Sequence, residues 1–220
     1  MSRGQAGDIQ FQQERASMRT VSIGYGQVAG LPRCRADCLA RVEANLRWAT
    51  AAESRWGACG LAVVDDDIVG YALIAPSWHA SDIAAWQTAP GQDDETDRPS
   101  AILVAQWVDS HAHGLDVHRL LIDGIAARLV RTGDLVLDAR GARFRPTCLC
   151  PSVRVLQRCG FQIEAEHPVT PLLRLDLDRT VRHRARPGLW GRVVTAIRRP
   201  DLPPAPAQRL CDGGNGGGRR

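Results

Sequence analysis

Val108-Asp109-Ser110-His111-Ala112-His113-Gly114-Leu115-Asp116-Val117-His118-Arg119-Leu120-Leu121 joins an apolar run to an amphipathic one. The run before it, Ala101 to Val108, reads as a strand. The one after it, Val117 to Val130, carries Val117, Leu120, Leu121, Ile125 and Leu129 at helical spacing. A strand, a short loop and a helix N-terminus in that order present backbone N–H groups to an anion, phosphate above all. The side chains of the loop pull the other way: it keeps one glycine, Gly114, and carries Asp116 and three histidines.

Upstream, Gly60 to Val64 and Ile68 to Ile74 read as two strands joined by Asp65-Asp66-Asp67, a hairpin turn closed downstream by Pro76. Thr20 to Gly24 reads as a first strand. Residues 34–56 read as one helix with Leu39, Val42, Leu46 and Trp48 on its apolar side. Residues 77–100 are polar and loop-like, and the acids of 82–97 (Asp82, Asp93, Asp94, Glu95, Asp97) would favour a cationic amine, though a solvated loop explains them as well. Downstream, Gly133 is the C′ residue that ends the helix. Asp134 to Ala139 alternates as a strand, Pro151 to Arg158 is a short helix stopped by Gly160, and Phe161 to Glu166 and Leu172 to Leu177 are final strands. The order β α β β β α β α β β predicts an α/β (α+β) domain, a central sheet with helices on its faces.

The 220 residues suffice for one such domain with an appendage. The expected organisation is a disordered N-terminus over 1–17, the domain over 18–177, and a basic amphipathic segment with a disordered tail over 178–220. That last segment holds ten arginines against three aspartates, whereas acids outnumber bases in the rest of the chain. The formal net charge of +4 therefore belongs to the tail, and no nucleic-acid interface is expected. Leu189, Trp190, Val193, Val194 and Ile197 share one helical face, a candidate for docking on the domain itself, on a membrane surface or on a partner. No run has the length of a membrane span and Met1 to Ser17 has no apolar signal core, so the expectation is a cytoplasmic protein. All 28 basic residues are arginine, which fits the coding bias of a GC-rich bacterial genome more simply than any function.

Seven cysteines without a secretory signal predict reduced thiols rather than disulfides. Cys34-x3-Cys38 and Cys148-x-Cys150 are metal-ligand pairs by residue type, but neither has the spacing of a zinc knuckle with its partner, and no metal is expected. Three histidines and two aspartates fall between Asp109 and His118. They resemble the His-x-His-x-Asp-His run of metallo-β-lactamase-like hydrolases with two residues too many, which argues against that chemistry.

The order of elements resembles the GNAT superfamily of N-acyltransferases over roughly residues 19–177. Four stretches carry the resemblance: Asp66-Asp67-Ile68-Val69-Gly70-Tyr71-Ala72-Leu73, a hairpin with Gly70 in its outgoing strand; the strand ending at Val108 with its loop; the helix closing on Arg131-Thr132-Gly133; and Leu156-Gln157-Arg158-Cys159-Gly160-Phe161. It implies a mixed central sheet and transfer of an acetyl or other acyl group from acyl-CoA to a small-molecule or peptide amine acceptor. Strand N–H groups around Val108 would polarise the carbonyl, with no acyl-enzyme. It further implies that Val108, His113, Gly114, Leu115, Asp116, Val117 and His118 line the acyl-CoA site, with His113 in the basic position, and that a homodimer is a candidate assembly.

Asp116 and His118 stand where the family places small residues. A carboxylate ~4 Å from a phosphate is repelled by about 4 kcal/mol at an effective dielectric near 20, so weakened acetyl-CoA binding is expected. Asp116 also reads as the N-cap of the following helix. The alternative function is a catalytically degenerate fold serving as a binding or regulatory module. Leu156 occupies the place of the tyrosine that many members use as general acid, and Tyr25 and Tyr71 lie elsewhere. Asp109, His111 and Glu164 are candidates for the general base by their position at strand ends, and Cys148 or Cys150 could stand near the thioester.

Overall fold

A computed structural model describes residues 18–34, 38–83, 85–86, 100–111 and 114–177 of the protein. Strand β1 (Arg19–Ile23) leads to helices α1 (Cys38–Glu43) and α2 (Arg47–Trp56). Strands β2 (Gly60–Asp65), β3 (Asp67–Pro76) and β4 (Ser100–Val108) follow, then helix α3 (Gly114–Arg131), strand β5 (Val136–Arg140), helix α4 (Val153–Arg158) and strands β6 (Gln162–Ala165) and β7 (Leu172–Asp176). One seven-stranded sheet results, in the order β1-β2-β3-β4-β5-β7-β6. Strands β1 to β4 pair antiparallel, β4 and β5 parallel, and β7 inserts antiparallel between β5 and β6.

Burial explains the layout. Strand β4 is apolar without alternation and buried from Ser100 to Gln106, as expected of a central strand covered on both faces. Consecutive residues of β3 show the two faces. Gly70 lies so close to α3 that a Cβ there would meet Val117 at 2.7 Å, while Tyr71 turns to the opposite side and stacks on Trp107. Helix α3 buries Val117, Leu121, Ile122, Ile125 and Leu129, and α2 buries Trp48, Ala49, Ala52 and Trp56.

Several boundaries differ from the sequence reading, each for a local reason. The helix expected over 34–56 is two, because the Asn45 side chain accepts the Arg47 N–H and breaks the run. The hairpin turns on Asp66, which takes a positive φ of 60°. Helix α3 closes in a Schellman motif on Gly133, with φ 84°: the Gly133 N–H donates to Val130 and the Asp134 N–H to Leu129. Asp134 is thereby held in the turn, and β5 starts at Val136 rather than Asp134. Strand β6 is likewise shorter than Phe161 to Glu166. The tail and most of the acidic segment lie outside the described residues.

Asp134 is the most buried carboxylate of the fold, with its side chain fully inaccessible. It accepts from Arg55 Nη2 at 2.9 Å, Trp56 Nε1 at 2.8 Å and Thr132 Oγ1 at 2.9 Å. The C-terminus of α2 is thus pinned to the turn that starts β5.

Candidate active site

The site begins where two parallel strands part. β4 and β5 pair only from Ser100–Ile102 to Val136–Asp138, after which β4 runs on to Val108 while β5, paired with β7 along its other edge throughout, ends at Arg140. The register shift of β3 between Leu73 and Ile74 makes Val104 an extra residue in β4 and bends it at this fork. Strand N–H groups alternate in direction. Asp109 N–H pairs with Val69 of β3, so that of Val108 points to the wedge side, as does that of Gln106.

Protein groups fill the root of the wedge. The Trp86 indole N–H donates to the Leu103 carbonyl at 3.4 Å, and the Arg140 guanidinium lies 5.4 Å from the Trp86 ring centre. Burial lowers the pKa of Arg140 below its ordinary value. Further out, the loop between β5 and α4 reaches in, and its Cys148 carbonyl accepts the Gln106 N–H at 2.7 Å. The Gln106 side chain is 3% exposed, and neither its amide nitrogen nor its oxygen has a hydrogen-bond partner among the described residues.

Asp109 to His111 follow the outer end of β4. Asp109 Oδ1 accepts the His111 N–H at 2.7 Å and lies 3.0 Å from His111 Nδ1. The His111 backbone N–H, then its ring, hold the Asp109 carboxyl below the ordinary carboxylate range. Helix α3 begins at Gly114, ahead of the expected Val117, so Leu115 and Asp116 lie in its first turn. This corrects the N-cap reading of Asp116: it lies inside the first turn, where its charge offsets the positive end of the helix dipole that a phosphate would use. Val117 is buried against Gly70, and His118 is mostly buried, its Nδ1 without a partner among the described residues. Burial lowers the His118 pKa, which favours the neutral ring. His113 lies outside the described residues.

The start of α3 adjoins a basic surface that the sequence reading missed. Arg119 Nε donates to the Arg158 carbonyl at 3.4 Å, which ties α3 to the end of α4. There Arg154, Gln157 and Arg158 line a cavity of about 420 Å³. Leu156, between them in sequence, is fully buried and offers no proton. Glu164 stands apart on β6, paired at 2.9 Å with Arg174, which also grips Asp138 through two bonds of 2.8 and 3.1 Å. Of the three bases named from sequence, Asp109 and His111 are together at the end of β4, and Glu164 is bound elsewhere.

A mixed seven-stranded sheet with helices on both faces, opened between β4 and β5 with a helix N-terminus at the opening, is the GNAT fold. No family model matches the sequence, and no curated protein matches it. Solved structures similar to the chain include the polyamine N-acetyltransferase of Drosophila melanogaster, with 14% identity, 72% of this chain and 99% of the other covered, and a TM-score of 0.47. The GNAT family N-acetyltransferase YhbS of Escherichia coli, in complex with CoA, is 17% identical over 73% of this chain and 80% of its own, with a TM-score of 0.45. Arabidopsis thaliana NAA60, in complex with acetyl-CoA, is 9% identical over 73% and 99%, with a TM-score of 0.44.

Proposed function

We propose that the protein transfers an acyl group from acyl-CoA to an amine at the outer end of the β4–β5 wedge. The observation that carries this reading is the run of β4 beyond its partner, which turns the amides of Gln106 and Val108 into the wedge beside the start of α3. Acyl-CoA would bring an activated carbonyl. The Val108 N–H would hold its oxygen, and the first turn of α3 with Arg154 and Arg158 would take the diphosphate. The arginines offset what Asp116 and His118 take from the loop. His111, oriented by Asp109, is the candidate to accept the proton of the attacking amine.

The fit is partial, since the Gln106 N–H is already bound to Cys148 and Trp86 fills the root of the wedge. These contacts favour a second reading, a GNAT-fold module that binds a partner without catalysis. Calorimetry with CoA and acetyl-CoA, combined with CoA-thiol release across small amines and peptide N-termini, separates the two. Amine-dependent thiol release that is lost in His111→Ala supports catalysis. No binding and no release at millimolar acetyl-CoA overturns it.

A further inference from the structure

We infer that Cys34, Cys38 and Cys148 form a three-thiolate site for a soft divalent cation, zinc by preference. The three Sγ atoms come from two segments far apart in sequence and lie within 4.8 Å of one another. Cys34 Sγ and Cys148 Sγ are 3.2 Å apart, and the Cys38 N–H points at Cys34 Sγ from 3.5 Å. Tetrahedral zinc with ligand distances of about 2.3 Å spaces its sulfurs by ~3.8 Å. A cation would part Cys34 and Cys148 slightly and bring any wider pair inward, each by about an ångström or less.

A second observation also points to a ligand. Tyr71 is wholly buried and its hydroxyl has no partner among the described residues. It is near enough for Cys148, Cys34 and Cys38 each to influence its ionisation. Three sulfurs leave one tetrahedral position, open to a water or a further donor. Thiolates are the donors that select zinc over harder cations. On binding, three S–H bonds give way to three metal–sulfur bonds, and the protons leave to the buffer. The site is separate from the acyl-CoA reading and stands without it. It would also fix the Cys148 carbonyl against Gln106.

The full chain, purified under reducing conditions without chelator, is expected to carry one zinc per molecule by plasma mass spectrometry. Cobalt added to the stripped protein is expected to give the sulfur-to-cobalt charge-transfer band of a three-sulfur site. Cys38→Ser should weaken binding by more than roughly tenfold, while Cys59→Ser and Cys150→Ser should keep it. Because a ligand variant could misfold, metal is also titrated into the stripped wild-type chain, where the melting temperature should rise. The proposal is overturned by a metal-free protein with no cobalt band, by a Cys34–Cys148 disulfide seen as a mass deficit of two hydrogens, or by loss of metal in Cys150→Ser.

Discussion

Gln106 gives its backbone N–H to the Cys148 carbonyl at 2.7 Å while its buried side-chain amide meets no polar partner among the described residues. A buried amide left unpaired costs on the order of 1–3 kcal/mol. Gln106→Leu is therefore expected to raise the urea midpoint by an amount worth about 1 kcal/mol. If the amide is kept for a ligand, acetyl-CoA binding falls in the same variant. A Gln106→Leu protein that is less stable would show that the amide has a partner in the folded state.

Asp134 predicts a large loss on truncation. Asp134→Ala strands the Trp56 indole and the Arg55 guanidinium together, while the Thr132 hydroxyl keeps the Leu129 carbonyl as acceptor. The expected cost is about 3–5 kcal/mol, because breaking a buried pair leaves its partners desolvated. Asp134→Asn keeps an acceptor and should cost clearly less. Chemical denaturation of both variants gives the comparison, and equal losses would contradict the hydrogen-bond account.

His118 makes stability fall on the acid side. Its folded pKa is depressed below the ordinary 6.5 by burial. The unfolded chain therefore binds the proton more readily over the interval between the two values. The stabilisation is complete above the unfolded pKa and is lost as pH falls through that value toward the folded one. Melting temperatures from about pH 8 to about pH 5 should fall less steeply for His118→Leu than for the wild-type chain. Parallel curves would mean that the ring is solvated.

The surface around Arg154 and Arg158 predicts a salt-dependent loss of ligand. The double variant Arg154→Ala, Arg158→Ala should weaken CoA binding by roughly tenfold, about 1.4 kcal/mol, most of it vanishing at high salt. Asp116→Asn should act in the opposite sense, since it removes a charge from the first turn of α3. Calorimetry at two ionic strengths measures both. If the arginine variant binds CoA as the wild type does, the diphosphate lies elsewhere.

The elements were legible because each has a local cause. Gly133 ends α3 as its position demands, the aspartate turn joins β2 to β3, and the unbroken apolar run of β4 marks a strand buried on both faces. Asn45 was a visible breaker, yet the apolar spacing on either side masked it. What stayed hidden was non-local. Nothing in the spacing of Cys34 and Cys38 announces Cys148, over a hundred residues away, and nothing in Trp86 or Arg140 announces that they meet in the wedge. The strand before the loop and the helix after it were legible from their apolar spacing, although the helix starts at Gly114 rather than Val117. Arg154 and Arg158 stand on α4, and no local pattern ties them to α3.

The insertion of β7 between β5 and β6 has a consequence for how the chain is made. A nascent chain that has reached Ala165 holds β5 with its outer edge open and β6 with no strand to join, since both of their partners are β7. The sheet can close only after Asp176 emerges. Until then two unpaired edges are exposed to neighbouring chains. A stop or a stall between Ala165 and Leu172 would thus yield a sticky intermediate rather than a smaller stable protein.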